Sequence, residues 1–231
     1  MVTRLAEDVW WFDFQGVNAY LVDDDGAWTL VDAGMPWHGR RLVRSVASVA
    51  GSAAPLERVL VTHFDFDHVG GLDSLSGLGA TVHIGAGDEP YLTGRRKPGW
   101  NNRKGVFQRA ADVLRDVPDL RVETVDEGDT VGGFTAYQTP GHTPGHTSFL
   151  HEGLSTVVLG DLVREADGAF DVPPWFLNYD HDRARGSVAA FLDRAPAFDI
   201  ACPGHGTPFV TDGDDRLAEC ADTLRADVIA D

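Results

Sequence analysis

The stretch Thr62-His63-Phe64-Asp65-Phe66-Asp67-His68-Val69-Gly70-Gly71 follows directly on the apolar run Val59-Leu60-Val61. An apolar run of that kind reads as a strand, so the strand carries two imidazoles and two carboxylates to its own end and stops there. Metals of the zinc and iron class take this mixture of nitrogen and oxygen ligands. Groups packed this closely repel or desolvate one another at a cost unless a cation neutralises them. Taken alone, the cluster has the composition of a solvated acidic loop.

Three later turns argue against the loop. They are Thr139-Pro140-Gly141-His142-Thr143-Pro144-Gly145-His146-Thr147, Leu159-Gly160-Asp161, and Cys202-Pro203-Gly204-His205-Gly206-Thr207-Pro208. Each follows an apolar or β-rich segment and sits among Gly and Pro. Glycine lets the backbone turn sharply and proline stiffens the turn, which is how a loop holds one imidazole or carboxylate still. In this order and spacing the chain resembles the metallo-β-lactamase-fold superfamily of metallohydrolases, from Asn18 through Pro208. Val31-Asp32-Ala33-Gly34 matches that superfamily's early strand-end motif, whose aspartate usually supports the site.

The resemblance implies ligands residue by residue. His63, Asp65 and His142 would hold one metal; Asp67, His68 and His205 would hold a second; Asp161 would bridge them. The usual motif is H-x-H-x-D-H, and here Asp65 stands where the middle imidazole belongs. A carboxylate there is shorter and negative, and related iron enzymes carry one, so Asp65 tilts the preference toward a harder ion. The expectation is two divalent ions, zinc first, with iron or manganese as alternatives because of Asp65. His146 reads as a neighbour of the site, not a ligand, and His83 and His151 as strand and turn residues. His38 and His181 are placed where they would border the pocket. Cys202 and Cys220 are too few for a disulfide framework and read as buried thiols.

The remaining sequence bounds the function. At 231 residues with 43% hydrophobic content, the chain is long enough for one domain with a sizeable core. Net charge is −17, and of the 19 basic residues only Lys97 and Lys104 are lysines. That balance disfavours nucleic acid and anionic membranes as partners. Abundant carboxylates also suit a salt-rich cytosol, where their repulsion is screened, so a halophilic source is expected. No apolar run approaches bilayer length, and Met1–Asp8 lacks the apolar region of a signal peptide; a cytoplasmic location is the expectation.

Strand-like segments at Trp10–Phe14, Ala19–Val22, Trp28–Val31, Leu56–Val61 and Thr81–Ile84 form a first half. Val122–Val125, Phe134–Tyr137, Thr147–Leu150, Ser155–Leu159 and Phe198–Ala201 form a second. Helical spacing appears at His38–Ala50, Val188–Leu192 and Arg216–Val228. Two packed sheets with helices outside follow from this order. The resemblance implies the same α/β (α+β) architecture, a four-layer αββα sandwich in a single domain spanning 1–231. One irregular insertion at about Gly85–Pro118 holds the chain's concentrated positive charge: Arg95, Arg96, Lys97, Arg103 and Lys104, with Tyr91 and Trp100 beside them. It is expected to overhang the metals and favour an anionic small-molecule substrate.

The chemistry implied is hydrolysis of a small ester, thioester or lactone by hydroxide generated at the metals, with Asp67 and Asp161 orienting it and moving its proton. Two other classes remain open: an iron-dependent oxygenase of the persulfide type on the same fold, and a non-enzymatic ligand-binding protein with a degenerate metal site. Oligomeric state is unread.

Overall fold

The computed structural model describes residues 1–51, 56–99, 102–112 and 119–230. Trp100, and Pro118 at the end of the insertion, lie outside them. The first sheet has seven strands in sequence order: β1 (Val2–Ala6), β2 (Val9–Asp13), β3 (Asn18–Asp24), β4 (Ala27–Val31), β5 (Leu56–Val61), β6 (Thr81–Gly85) and β7 (Arg121–Val125). Strands β1 to β4 pair antiparallel; β4 to β7 pair parallel. Helix α1 (Gly39–Ala50) crosses from β4 to β5 and stops at Gly51, whose φ of 79° is the left-handed conformation that ends helices. Two short helices, α2 (Phe66–Val69) and α3 (Glu89–Leu92), follow β5 and β6, and α4 (Arg103–Asp112) follows α3.

The second sheet contains β8 (Thr130–Val131), β9 (Phe134–Gln138), β10 (Thr147–His151), β11 (Thr156–Gly160) and β14 (Ile200–Pro203), in the order β14-β11-β10-β9-β8. A separate hairpin of β12 (Arg164–Ala166) and β13 (Ala169–Asp171) precedes α5 (His181–Leu192), and α6 (Gly213–Ala230) closes the chain. The Asp180 carboxylate caps α5 by accepting from Arg183 N, as its position before the helix leads one to expect.

Strand periodicity explains the layers. Along β5, Val59 and Val61 join one apolar cluster with Leu42 and Val46 of α1, while Leu60 between them joins a different cluster. That middle cluster draws Val31 and Leu60 from the first sheet and Phe149, Val158 and Cys202 from the second. Along β11, Val157 and Leu159 turn the other way, to Val188 of α5 and Leu217 of α6. Side chains alternate across a strand, so both sheets are buried on both faces and the order is helix, sheet, sheet, helix. Each fully buried Val or Leu contributes roughly 1.5–3 kcal/mol, and Leu60→Ala in the shared layer would cost about 2–5 kcal/mol.

The strands expected from sequence are present, most of them matching or longer by one or two residues, while those at Val9–Asp13, Thr156–Gly160 and Ile200–Pro203 are shifted by one or two residues. The last strand runs two residues past its expected end, into Cys202-Pro203, because it pairs parallel with β11 up to Gly160. Edge strand β1 and the small β8 and β12–β13 pairings escaped the sequence because they are short and half-exposed. The insertion, expected to be irregular, carries two helices among the described residues, α3 and α4.

Candidate metal centre

The carboxyl ends of β4, β5, β11 and β14 meet at one edge of the sandwich, and the β9–β10 connection folds over it. Asp32 leaves β4, His63 leaves β5, Asp161 leaves β11, and Gly204-His205 leaves β14. The two sheets are tied there by Thr147 N donating to Thr62 O at 2.8 Å and by Tyr20 donating its hydroxyl to Pro203 O at 2.7 Å. Parallel pairing of Gly160 with Pro203 sets Asp161 beside Gly204. Only glycine fits at 204: a Cβ would lie 2.2 Å from Asp161 Oδ1.

Six of the seven expected ligands converge in two clusters, His63–His142–Asp161 and Asp67–His68–His205, each with its ligand atoms within 4.8 Å of one another. Asp161 spans both. Its Oδ1 lies 3.4 Å from His68 Nε2, and its Oδ2 lies 3.3 Å from both His142 Nε2 and His205 Nε2. Asp67 Oδ2 is 3.4 Å from His205 Nε2. Asp65, the seventh, sits beside the first cluster, its Oδ2 at 3.0 Å from His142 Nε2 and 3.3 Å from His63 Nε2.

Every imidazole presents the same nitrogen, because its other nitrogen is occupied. His68 Nδ1 donates to Asp32 Oδ2 at 2.8 Å and His205 Nδ1 to Gly16 O. His142 Nδ1 donates to Asn178 Oδ1 at 2.8 Å; Asn178 Nδ2 is spent on Pro173 O, which fixes the amide's orientation. His63 Nδ1 donates to Thr62 Oγ1 at 2.9 Å, whose own proton goes to Asp32. Four Nε2 atoms therefore face the carboxylates. Such outer contacts fix the tautomer that a metal needs.

Charge balance asks for cations. The Nε2 atoms of His63 and His68 and Oδ1 of Asp161 are buried without a hydrogen-bond partner, although buried polar atoms are ordinarily satisfied. Burial, with the His68 imidazole beside it, holds His63 down to about 4, so it is neutral and free to ligate. The Asp161 carboxylate pushes His205 up to about 9. Burial alone would raise Asp161, but His205, His68 and His142 outweigh it and keep the carboxylate well below the usual range. A proton attracted to such imidazoles marks where a divalent ion would stand. The donor set, four imidazole nitrogens with the carboxylates of Asp67 and Asp161, suits divalent transition-metal ions.

A cavity of about 270 Å³ opens over the clusters, lined by Asp67, Asp161, His142 and His205 at its floor and Phe66, Phe176 and Leu177 at its apolar side. From α4, Lys104 and Gln108 line it too. Asp65 is in their grip: Lys104 Nζ lies 2.7 Å from Oδ2, and Gln108 Nε2 bonds Oδ1. Among the described basic residues of the insertion, Lys104 alone lines this cavity. Arg95 pairs with Glu89, Arg96 lies over the Tyr91 ring at 5.5 Å, and Arg103 over Trp175 at 5.0 Å.

The other histidines divide as follows. His146 is buried against the rear of the site, its Nδ1 on Thr139 Oγ1 at 2.8 Å. His181 lies outside both clusters and contacts Asn178, its Nδ1 2.9 Å from Asn178 Nδ2. His38, expected at the site mouth, instead stacks on Phe14 with ring centres 4.9 Å apart. His83 faces Glu123, and His151 accepts from Leu154 N in its turn. Cys202 and Cys220 are buried and unpaired, and burial pushes both thiols up.

The sequence missed three supports. Asp88, fully buried, accepts from Phe64 N at 2.8 Å, Gly145 N at 2.7 Å and Thr143 Oγ1 at 2.5 Å, clamping the His63 and His142 loops together. Asn178 orients His142. Gln108, held by the Tyr179 hydroxyl at 2.6 Å, reaches Asp65. Only the Gly-rich Gly85-Ala86-Gly87 run before Asp88 hinted at close packing there.

Comparison with known proteins agrees with this geometry. Residues 12–205 match the family described as the metallo-beta-lactamase superfamily. The chain is 33% identical over 184 residues to metallo-beta-lactamase domain-containing protein 1 of Xenopus laevis, covering 78% of this chain and 66% of that protein. It is 26% identical over 229 residues to a Bacillus subtilis protein named "Probable metallo-hydrolase YflN", covering 88% and 85%. The fold is shared with BJP-1, a subclass B3 metallo-beta-lactamase of Bradyrhizobium japonicum, at a TM-score of 0.70 and 24% identity, covering 99% and 92%. No helix among the described residues is long and apolar enough to cross a membrane.

Proposed function

The chain belongs to the metallo-beta-lactamase superfamily, and from that membership and its two imidazole–carboxylate clusters we propose that it is a zinc-dependent hydrolase of small esters, thioesters or lactones with an apolar acyl group. The observation that carries this reading is the pair of clusters, with Asp161 reaching imidazoles of both, in a cavity lined on its apolar side by Phe66, Phe176 and Leu177.

His63, His142 and Asp161 would hold one ion, and Asp67, His68, His205 and Asp161 the other. Zinc held there would supply Lewis acidity, lowering the pKa of a water toward neutrality and polarising a carbonyl. Asp67 and Asp161 accept hydrogen bonds from the attacking water and fix its orientation, and Asp67, the more open of the two, takes its proton. Asp32, Asn178 and Thr62 keep the imidazoles aimed. Phe66, Phe176 and Leu177 offer the acyl chain an apolar wall beside the clusters. The cavity's small volume favours a small substrate. The apolar side and the pairing of Lys104 with Asp65 favour an uncharged acyl group over the anionic one expected from the insertion's composition.

An iron-dependent oxygenase is the reading that Asp65 motivates. In this geometry both Asp65 oxygens are held by Lys104 and Gln108, leaving a nitrogen-rich cluster that supports zinc. The test is elemental analysis of purified protein followed by a panel of nitrophenyl esters, acyl thioesters and lactones. Chelation should abolish turnover and zinc should restore it, with apolar acyl groups preferred. Oxygen uptake by iron-loaded protein without ester hydrolysis selects the oxygenase; a full metal complement with no turnover on any substrate overturns both.

A further inference from the structure

Lys104 is a lysine only 4% exposed, carried into the metal centre by α4. Its ammonium lies 2.7 Å from Asp65 Oδ2 and touches His142 Nε2. His142 Nδ1 donates to Asn178, so the nitrogen facing Lys104 carries the lone pair, the same one a metal would use. Zinc bonds imidazole nitrogen at about 2.0–2.1 Å. An ammonium against that nitrogen and a divalent ion on it cannot coexist: they share one lone pair and repel each other.

Lys104 is held in place. Gln108, one helical turn on, donates to Phe64 O at 2.6 Å and to Asp65 Oδ1, and accepts from the Tyr179 hydroxyl at 2.6 Å. Asn102 at the start of α4 donates to Tyr179 O at 3.0 Å. The ammonium serves Asp65 and His142 but leaves His63 Nε2 and Asp161 Oδ1 buried without partners. It therefore does half of what a metal would do at that cluster.

We infer that Lys104 is a built-in cation competing with metal at the His63–His142–Asp161 cluster, so that the two clusters load in order, Asp67–His68–His205 first and the Lys104 cluster only when the lysine is displaced. Asp65 is the lysine's counter-charge in this arrangement, which accounts for a carboxylate where the family places imidazole. The inference rests on the reading that both clusters hold metal.

The experiment is zinc titration of chelator-stripped protein against a chromophoric competitor, with stoichiometry from elemental analysis. The wild-type chain should bind one equivalent tightly and a second about 10–100-fold more weakly, the range over which contacting groups shift metal affinity. Lys104→Met removes the charge at similar volume and should close the gap; Lys104→Arg should keep it. His68→Ala should abolish the tight equivalent, and His63→Ala should leave it. If Lys104→Met does not fold by circular dichroism, Lys104→Gln is read in its place. Two wild-type equivalents filling together, or a gap unchanged in the uncharged variant, overturns the inference while sparing the hydrolase reading. A wild-type chain that binds no zinc overturns both.

Discussion

Asp32 and His68 meet across 36 residues of chain, the imidazole Nδ1 donating to Asp32 Oδ2 at 2.8 Å. Asp32 also accepts from Thr62 N and Thr62 Oγ1, each at 2.8 Å, and does so from a backbone φ of 60°. That left-handed conformation is tolerated by Asp and Asn. One carboxylate thus sets the tautomer of His68 directly and of His63 through the Thr62 hydroxyl.

Asp32→Asn keeps the backbone conformation but turns an acceptor into a donor that faces two other donors. Zinc affinity at the His68 cluster should fall 10–100-fold, in line with other contacts that orient metal ligands, with little loss of fold. Competition titration measures it, and an unchanged affinity would falsify the orienting role.

The ligand assignments make a patterned prediction. His68→Ala or His205→Ala should remove one metal, and Asp161→Ala should weaken both, because its oxygens reach imidazoles of both clusters. Metal content and activity are read together; intact stoichiometry in all three variants refutes the assignment.

Asp65 and Lys104 should behave as a unit. Asp65→His alone sets an imidazole against an ammonium that has lost its counter-charge, so it should not tighten zinc binding. Combined with Lys104→Met it should, since imidazole suits zinc. A double-mutant cycle on zinc affinity isolates this coupling; simple additivity sinks it.

Asp88→Ala removes the acceptor of three buried donors, on Phe64, Thr143 and Gly145. Unsatisfied groups cost about 1–3 kcal/mol each, and in a domain of this size each kcal/mol lowers Tm by about 2–4 °C. A fall of about 5 °C or more should appear in calorimetry. A smaller change means the loops pack without the clamp.

With 36 acidic residues against 19 basic ones, self-repulsion should weaken the fold in dilute buffer. Molar potassium chloride shortens the Debye length to about 3 Å, and Tm should rise by about 4 °C or more, given 2–4 °C per kcal/mol. A flat Tm between dilute and molar salt rejects adaptation to a salty cytosol.

The sequence by itself determined the sandwich and most of the candidate centre. Strand periodicity is local, so Val59, Leu60 and Val61 announce their alternation and deliver His63 to a strand end, and Gly/Pro turns announce where His142, Asp161 and His205 must stop and point. What it could not show were contacts made by side chains far apart in the chain. Nothing near Lys104 distinguishes it from Arg103 as a surface base; it reaches Asp65 only because α4 packs over the β5 end and Tyr179 anchors Gln108. Nothing near Asn178 names His142 as its partner. Such pairings depend on where separate segments are brought together, which backbone propensity does not encode. The turns that carry the candidate ligands were therefore legible in order along the chain, whereas the lysine ammonium seated among them was decided by tertiary packing alone.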